Sequence, residues 1–274
     1  MAETTAISWT DHTWNPWRGC TKISPGCAHC YMYTAQFRMA QRTGKAAIWN
    51  PEIVQQTTTW PDPMRWQRRA AAAGKVERVF TCSWSDFFHE DADAWRSRAW
   101  EIIRQCPNLI FQILTKRPEN IAARLPAHWL TGFRFLPLVL HDLLEETPVN
   151  LDELAVERTG WPNVWLGVSV ENPRYLWRVD LLRAIPARVR FISAEPLLAH
   201  LPTLSLEGIH WLIVGGESGP GYRPMKLEWA RELREKALAA SVPFFFKQSA
   251  APRTEMGTTL DGREWREFPD EEAG

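Results

Sequence analysis

NVWLGVSVEN, residues 163–172, carries the pattern that decides the fold. Residues 163–170 form an almost unbroken apolar run, and Glu171 and Asn172 follow at once. A strand with one wet face alternates apolar and polar residues, whereas a strand covered on both faces reads as a continuous apolar stretch. The run is therefore a buried parallel strand that ends in charge.

The same phrase recurs on both sides of it. ERVFTCS (77–83) leads to Ser85 and Asp86, and NLIFQILT (108–115) to Lys116 and Arg117. RVRFISA (188–194) runs into Glu195, and HWLIVGG (210–216) into Glu217 and Ser218. VPFFFKQ (242–248) closes on Lys247 and Gln248, and AISW (6–9) is a weaker first strand. Helical periodicity fills most of the gaps. DADAWRSRAWEIIRQC offers Asp91 or Asp93 as N-cap and puts Trp95, Ala99, Ile102, Ile103 and Cys106 on one face. PRYLWRVDLLRAI groups Leu176, Val179, Leu182 and Ile185, and KLEWARELREKALAA groups Leu227, Ala230, Leu233 and Ala237. Alternating strands and helices point to an α/β fold, a partial or complete TIM-like (β/α) barrel in one domain spanning 1–274. A barrel carries its active site at the C-terminal strand ends, where these polar residues cluster. Residues 126–162 break the rhythm and read as an inserted or elaborated unit, helical over 136–146. TTLDGREWREFP has the Asp-Gly turn of a terminal hairpin.

Composition narrows the function classes. Hydrophobic residues make up 45% and charged residues 23% of 274 residues, the balance of a globular protein with ample core. No apolar run reaches the roughly 18 residues of a membrane span, so no membrane partner is expected. The N-terminus MAETTAISWTDHTW lacks the basic and apolar regions of a secretory signal, which makes the cytoplasm the expected location. Net charge is zero but uneven: residues 1–125 carry 16 Lys and Arg against 11 Asp and Glu, the remainder 16 against 21. Arg65, Arg68, Arg69, Lys75 and Arg78 form a modest basic patch that reads first as a solvated helix face. Several of the 16 tryptophans lie within two residues of Arg or Pro, among them Trp14, Trp17, Trp66, Trp95 and Trp177. Most suit a core, and exposed ones suit stacking on bases. No P-loop, HExxH motif or Ser-His-Asp arrangement is present.

Cys20, Cys27 and Cys30 lie in GCTKISPGCAHCY. In a cytosolic protein, close cysteines bind metal or catalyse more often than they pair. Three thiolates can hold an iron–sulfur cluster with one iron left open. A Cys3His zinc site that recruits His12 or another distant His is the alternative, and a disulfide with a spare thiol is the third reading. Pro25 and Gly26 give the loop the sharp turn that convergent ligands need. Cys106 reads as a core residue, and Cys82 as one that faces either core or barrel interior.

TWNPWRGCTKISPGCAHCY resembles the signature of the phage Gp37/Gp68 family, also called DUF5131. The likeness continues through SWSDFFHED, LTKRPEN, VWLGVSVENP, FISAEPLL, VGGESGPGYRPM and FFFKQ. The family is similar to radical SAM proteins. The resemblance implies a barrel of radical SAM type and a [4Fe–4S] cluster on Cys20, Cys27 and Cys30. It also implies S-adenosylmethionine at the open iron. One electron from an external donor would cleave the sulfonium, and the 5′-deoxyadenosyl radical would take hydrogen from substrate. The family's phage association suggests nucleic acid or a nucleotide as that substrate. Two features depart from the radical SAM pattern. The first cysteine gap is six residues rather than three, and His29 stands where an aromatic residue usually packs on adenine. Gly215-Gly216-Glu217 matches the GGE motif that binds the methionine amino group, yet follows a late strand. On this reading His29, Ser193, Glu195, Gly215, Gly216 and Glu217 bind cofactor, while Ser85, Asp86, Lys116, Arg117, Glu171 and Lys247 face substrate. The rival functions are a nucleic-acid-binding module stapled by zinc or iron–sulfur without radical chemistry, and a cluster-bearing electron carrier or sensor.

Overall fold

The computed structural model of the protein describes residues 5–42, 44, 50–130 and 160–270. Seven strands form its main sheet: β1 (His12–Trp14), β2 (Glu77–Thr81), β3 (Leu109–Thr115), β4 (Val164–Ser169), β5 (Val189–Ala194), β6 (Trp211–Gly215) and β7 (Phe244–Gln248). Their order in space is their order in the chain, and every neighbouring pair is parallel. A strand order that never reverses puts every right-handed crossover on the same face, so the sheet wraps around the other one.

A single indole shows how far it wraps. Trp9 packs on Phe80 of β2 at 4.6 Å and on Trp211 of β6 at 6.2 Å between ring centroids. Those strands are four places apart, or about 19 Å in a flat sheet. The sheet is thus curled into a half-barrel, with β1 and β7 left as edges, so the partial form of the expected barrel is the one observed. The first strand also differs from expectation. It lies at 12–14, while Ile7 and Trp9 of AISW fill the concave floor instead.

That floor is aromatic. Trp9, Phe80, Trp165, Phe191, Trp211 and Phe245 pack together, with Phe268 from the C-terminal segment against Trp211 and Phe245. Gly167 makes this possible, because a Cβ there would sit 2.4 Å from the Phe191 ring. The convex face carries the larger core, to which helices α2 (Asp62–Ala72), α3 (Asp93–Arg104), α4 (Ile121–Arg124), α5 (Trp177–Arg183) and α6 (Leu227–Ala239) contribute, whereas α1 (Tyr31–Arg42) adds none of its described residues to it. The connection from β5 to β6 contains no helix. Helix α3 buries Ala99, Trp100 and Ile103, with Trp95 only partly covered. Its capping differs from expectation: neither Asp91 nor Asp93 caps it. The His89 side chain accepts from Asp91 N–H in the preceding turn, and Asp93 pairs with Arg96 and Arg124. Val179, Leu182 and Ile185 are buried as expected, as are Ala230, Leu233 and Ala237. Cys106 is a core residue, and Cys82 joins the same convex core, at φ 65°, rather than the interior.

The tail forms the expected hairpin. Thr259–Leu260 pairs with Arg263–Glu264 across Asp261 and Gly262, both at positive φ as a type I′ turn requires. The helix expected over 136–146 lies outside the described residues. Among those described, no helix is long and apolar enough to cross a membrane.

Candidate metal centre

The loop that carries the cysteines leaves β1 and is tied down by the ends of other strands. Ser24–Cys27 makes a tight turn closed by Cys27 N–H to Ser24 O at 2.9 Å, with Pro25 opening a single 3-10 turn. Cys30 N–H bonds to Cys27 O, and α1 starts at the next residue. The loop past β2 holds the entry. Trp84 O accepts from Gly19 N–H at 3.0 Å, Ser85 donates its hydroxyl to Gly19 O, and Tyr31 donates its hydroxyl to Ser83 O. From β3, Arg117 reaches Cys20 and Thr21. From β4, Glu171 accepts from Gly26 N–H at 3.3 Å. Past β6, Glu217 lies 2.9 Å from His29 Nδ1, and Arg223 bridges Glu217 to Pro25 O. Four strand ends thus converge on one loop.

These anchors are buried ions. Glu171 is fully buried and pairs with buried Arg178 at 3.0 Å. Asp86 accepts from Thr115 Oγ1 at 2.7 Å, Lys116 N–H at 2.9 Å and Phe88 N–H at 3.0 Å. Glu217 takes three bonds from Arg223 besides the His29 contact. Burial works against its charge, but Arg223 and His29 outweigh burial and hold the carboxyl at about 2.

All three thiols are free and partly buried, and the charge of Cys27 bears on both Cys20 and Cys30. Burial, with Asp86 adding to it, pushes Cys20 up to about 12, against the pull of Arg117. Burial also raises Cys30. Burial opposes ionisation of Cys27 too, yet Lys116 and hydrogen bonds from Ile23 and Ser24 bring it below the usual thiol range. Lys116, Arg117 and Lys22 are the cations of the neighbourhood.

The donor set suits the cluster that the resemblance implies. Three thiols share one loop, and cations face them to balance thiolate charge. Among the described residues, no three His, Cys, Asp or Glu side chains converge as ligands of one ion. His12 is not a fourth ligand. It pairs with Glu77 at the opposite, N-terminal end of the strands and stacks on Trp66 at 4.4 Å.

The other expected site residues divide into two groups. Glu195 and Lys247, at the ends of β5 and β7, form an ion pair beside Gly215. Ser193 lies in register with Ser169 on the concave side, two residues past Phe191 of the aromatic floor. Gly216 has a packing role: a Cβ there would meet Ala250 N at 2.2 Å. Among the basic-patch residues, Arg65 pairs with Asp62, Arg69 with Glu77 and Arg78 with Asp11. Trp14, Trp17 and Trp66 are core, and Trp177 is 43% exposed.

Sequence reasoning missed His89 and Arg223. His89 is buried, accepts Asp91 N–H at Nδ1, and so presents Nε2–H to Thr21 Oγ1 at 3.2 Å. Burial, then Arg117, lowers its pKa, in keeping with a neutral ring. Arg223 sits in the quoted GYRPM run, six residues past Glu217, and its charge was the available signal.

No curated protein and no solved structure shows a significant match to the chain. A family model described as "Protein of unknown function (DUF5131)" matches residues 4–269, a span that takes in the cysteine loop and all seven sheet strands. The chain therefore belongs to the DUF5131 family.

Proposed function

We propose that the protein is a radical SAM-type enzyme. In this reading Cys20, Cys27 and Cys30 hold a [4Fe–4S] cluster over the mouth of the half-barrel. The observation that carries it is the convergence of β2, β3, β4 and β6 ends on a three-thiol loop, at the pole where barrel enzymes do their chemistry. When bound and reduced by an external donor, the cluster supplies one-electron cleavage of S-adenosylmethionine to methionine and a 5′-deoxyadenosyl radical.

The chain's own residues do the rest. Glu171, Glu217, Arg223 and Ser85 fix the loop, so the thiols are presented without rearrangement. Glu217 is occupied by Arg223 and His29, which leaves Glu195 as the acid we assign to the methionine ammonium. Lys247 is its partner in the free protein and takes the methionine carboxylate, so the ligand's two charges replace one internal pair. Ser193 lines the same concave mouth, and the aromatic floor beneath closes the chamber to water from the other pole. The substrate proposed is nucleic acid or a nucleotide, a reading supported by the family resemblance rather than by the partly ion-paired basic patch.

The test is anaerobic reconstitution followed by dithionite and S-adenosylmethionine. The expected products are methionine and 5′-deoxyadenosine, with an altered electron paramagnetic resonance signal on adding S-adenosylmethionine. Cys27→Ser should make neither product, and Glu195→Gln should weaken S-adenosylmethionine binding at least tenfold. A loaded cluster indifferent to S-adenosylmethionine would leave an electron carrier, and zinc without iron would leave a stapled binding module.

A further inference from the structure

Arg117 is the least ordinary charge near the cysteines. It is 4% exposed at the end of β3, and its hydrogen bonds aim it rather than merely neutralise it. Nη2 donates to Thr21 Oγ1 at 2.6 Å and to Thr21 O at 3.2 Å. Nη1 points at Cys20 Sγ, 3.6 Å away, and at Asp86 Oδ2, 3.5 Å away. Thr21 Oγ1 is held from its other side by His89 Nε2 at 3.2 Å. Asp86, a buried carboxylate on the guanidinium, is shared with Thr115, Lys116 and Phe88. Its other carboxylate, Glu90, is 3.8 Å from Nε and half-exposed. The cation is thus faced by two carboxylates, at 3.5 and 3.8 Å, and still directs one N–H at a thiol sulfur.

We infer that Arg117 is a positioning residue that fixes Cys20 and sets the reduction potential of the cluster, an inference that rests on the cluster reading above. The reduced cluster carries one more negative charge than the oxidised one. A buried cation that donates to a ligand sulfur stabilises the reduced form more, because hydrogen bonds to sulfur and local charge are the levers on such potentials. One electron enters from the external donor, and no bond is made or broken in that step. Arg117 therefore makes the cluster easier to reduce, and Lys, a point charge without the planar fork, reproduces the charge but not the aim.

The experiment is a redox titration of the anaerobically reconstituted full chain, followed by electron paramagnetic resonance. It compares the natural protein with Arg117→Gln, Arg117→Lys and Thr21→Val. At the potential that half-reduces the natural protein, the reduced-to-oxidised ratio should fall about tenfold in Arg117→Gln, equivalent to about 59 mV for one electron. Arg117→Lys and Thr21→Val should fall between, the latter because it keeps the charge and removes an aiming bond. If Arg117→Gln does not fold, those two variants carry the test. Iron-loaded variants that all titrate with the natural protein overturn the inference and leave the cluster reading intact. A natural protein that takes up no iron overturns both.

Discussion

The two poles of the half-barrel are built from opposite materials. The floor is six aromatic rings around Trp211, Trp9 and Trp165, closed from outside by Phe268. The mouth is a net of buried and half-buried ions, Glu171 with Arg178, Asp86 with Arg117, and Glu217 with the partly exposed Arg223. Aromatic burial stabilises by area and tolerates small errors in angle. Buried ions recover little more than their desolvation cost, and only when every partner is in place. The floor holds the fold, while the mouth gives up stability to hold one loop in one position.

The comparison breaks most visibly at one fully buried member of each pole, Trp211 and Glu171. Trp211→Ala should cost about 4 kcal/mol in denaturant unfolding, since it removes the ring that five floor neighbours share, yet the folded fraction should bind iron normally. Glu171→Ala should cost about the same, because it strands the Arg178 charge, and should also lower iron uptake by freeing Gly26. Glu171→Leu with Arg178→Met should recover most of the stability and none of the iron. Equal iron in the floor and mouth variants would erase the distinction between the poles.

Gly167→Ala is the next largest, at about 3 kcal/mol, because the new Cβ meets the Phe191 ring at 2.4 Å on strands that cannot part. A thermal midpoint unchanged from the natural protein would show a floor softer than described.

Acid should act on the mouth first. Glu217 falls from the ordinary 4.5 to about 2 in the folded protein, so its stabilisation is complete above about pH 4.5 and is lost as pH drops toward 2. The loss should be about 2 kcal/mol after allowing for the partly exposed Arg223, and Glu217→Gln should abolish that part of the pH dependence. Protease cleavage in the 20–30 loop, followed between pH 5 and 2, would read it. A loop no more labile at pH 2 than at pH 5 would refute the anchor.

How much of this was legible in the sequence follows from the same contrast. Strands β2 to β7 announced themselves because burial on both faces leaves mostly apolar residues, as in VWLGVS and the FFF of FFFKQ. β1 did not, since three residues, HTW, carry no period, and the more apolar AISW beside it serves as plug. The strand-end polar residues were visible one by one, and so were the cysteines. Their partners were not: Arg117 with Cys20 and His29 with Glu217 are separated by 97 and 188 positions, and only the curl of the sheet brings them together. The GGE spelling shows the limit, for packing against Ala250 accounts for Gly216 without any ligand.

The central claim is that three thiols gathered over the strand ends hold one cluster with an open iron. Iron and acid-labile sulfide per chain, counted after anaerobic reconstitution of the natural protein and of Cys20→Ser, Cys27→Ser and Cys30→Ser, test it directly. The expected result is about four of each per natural chain and a severe loss in all three variants. A natural protein without iron, or variants that keep their full complement, would contradict it.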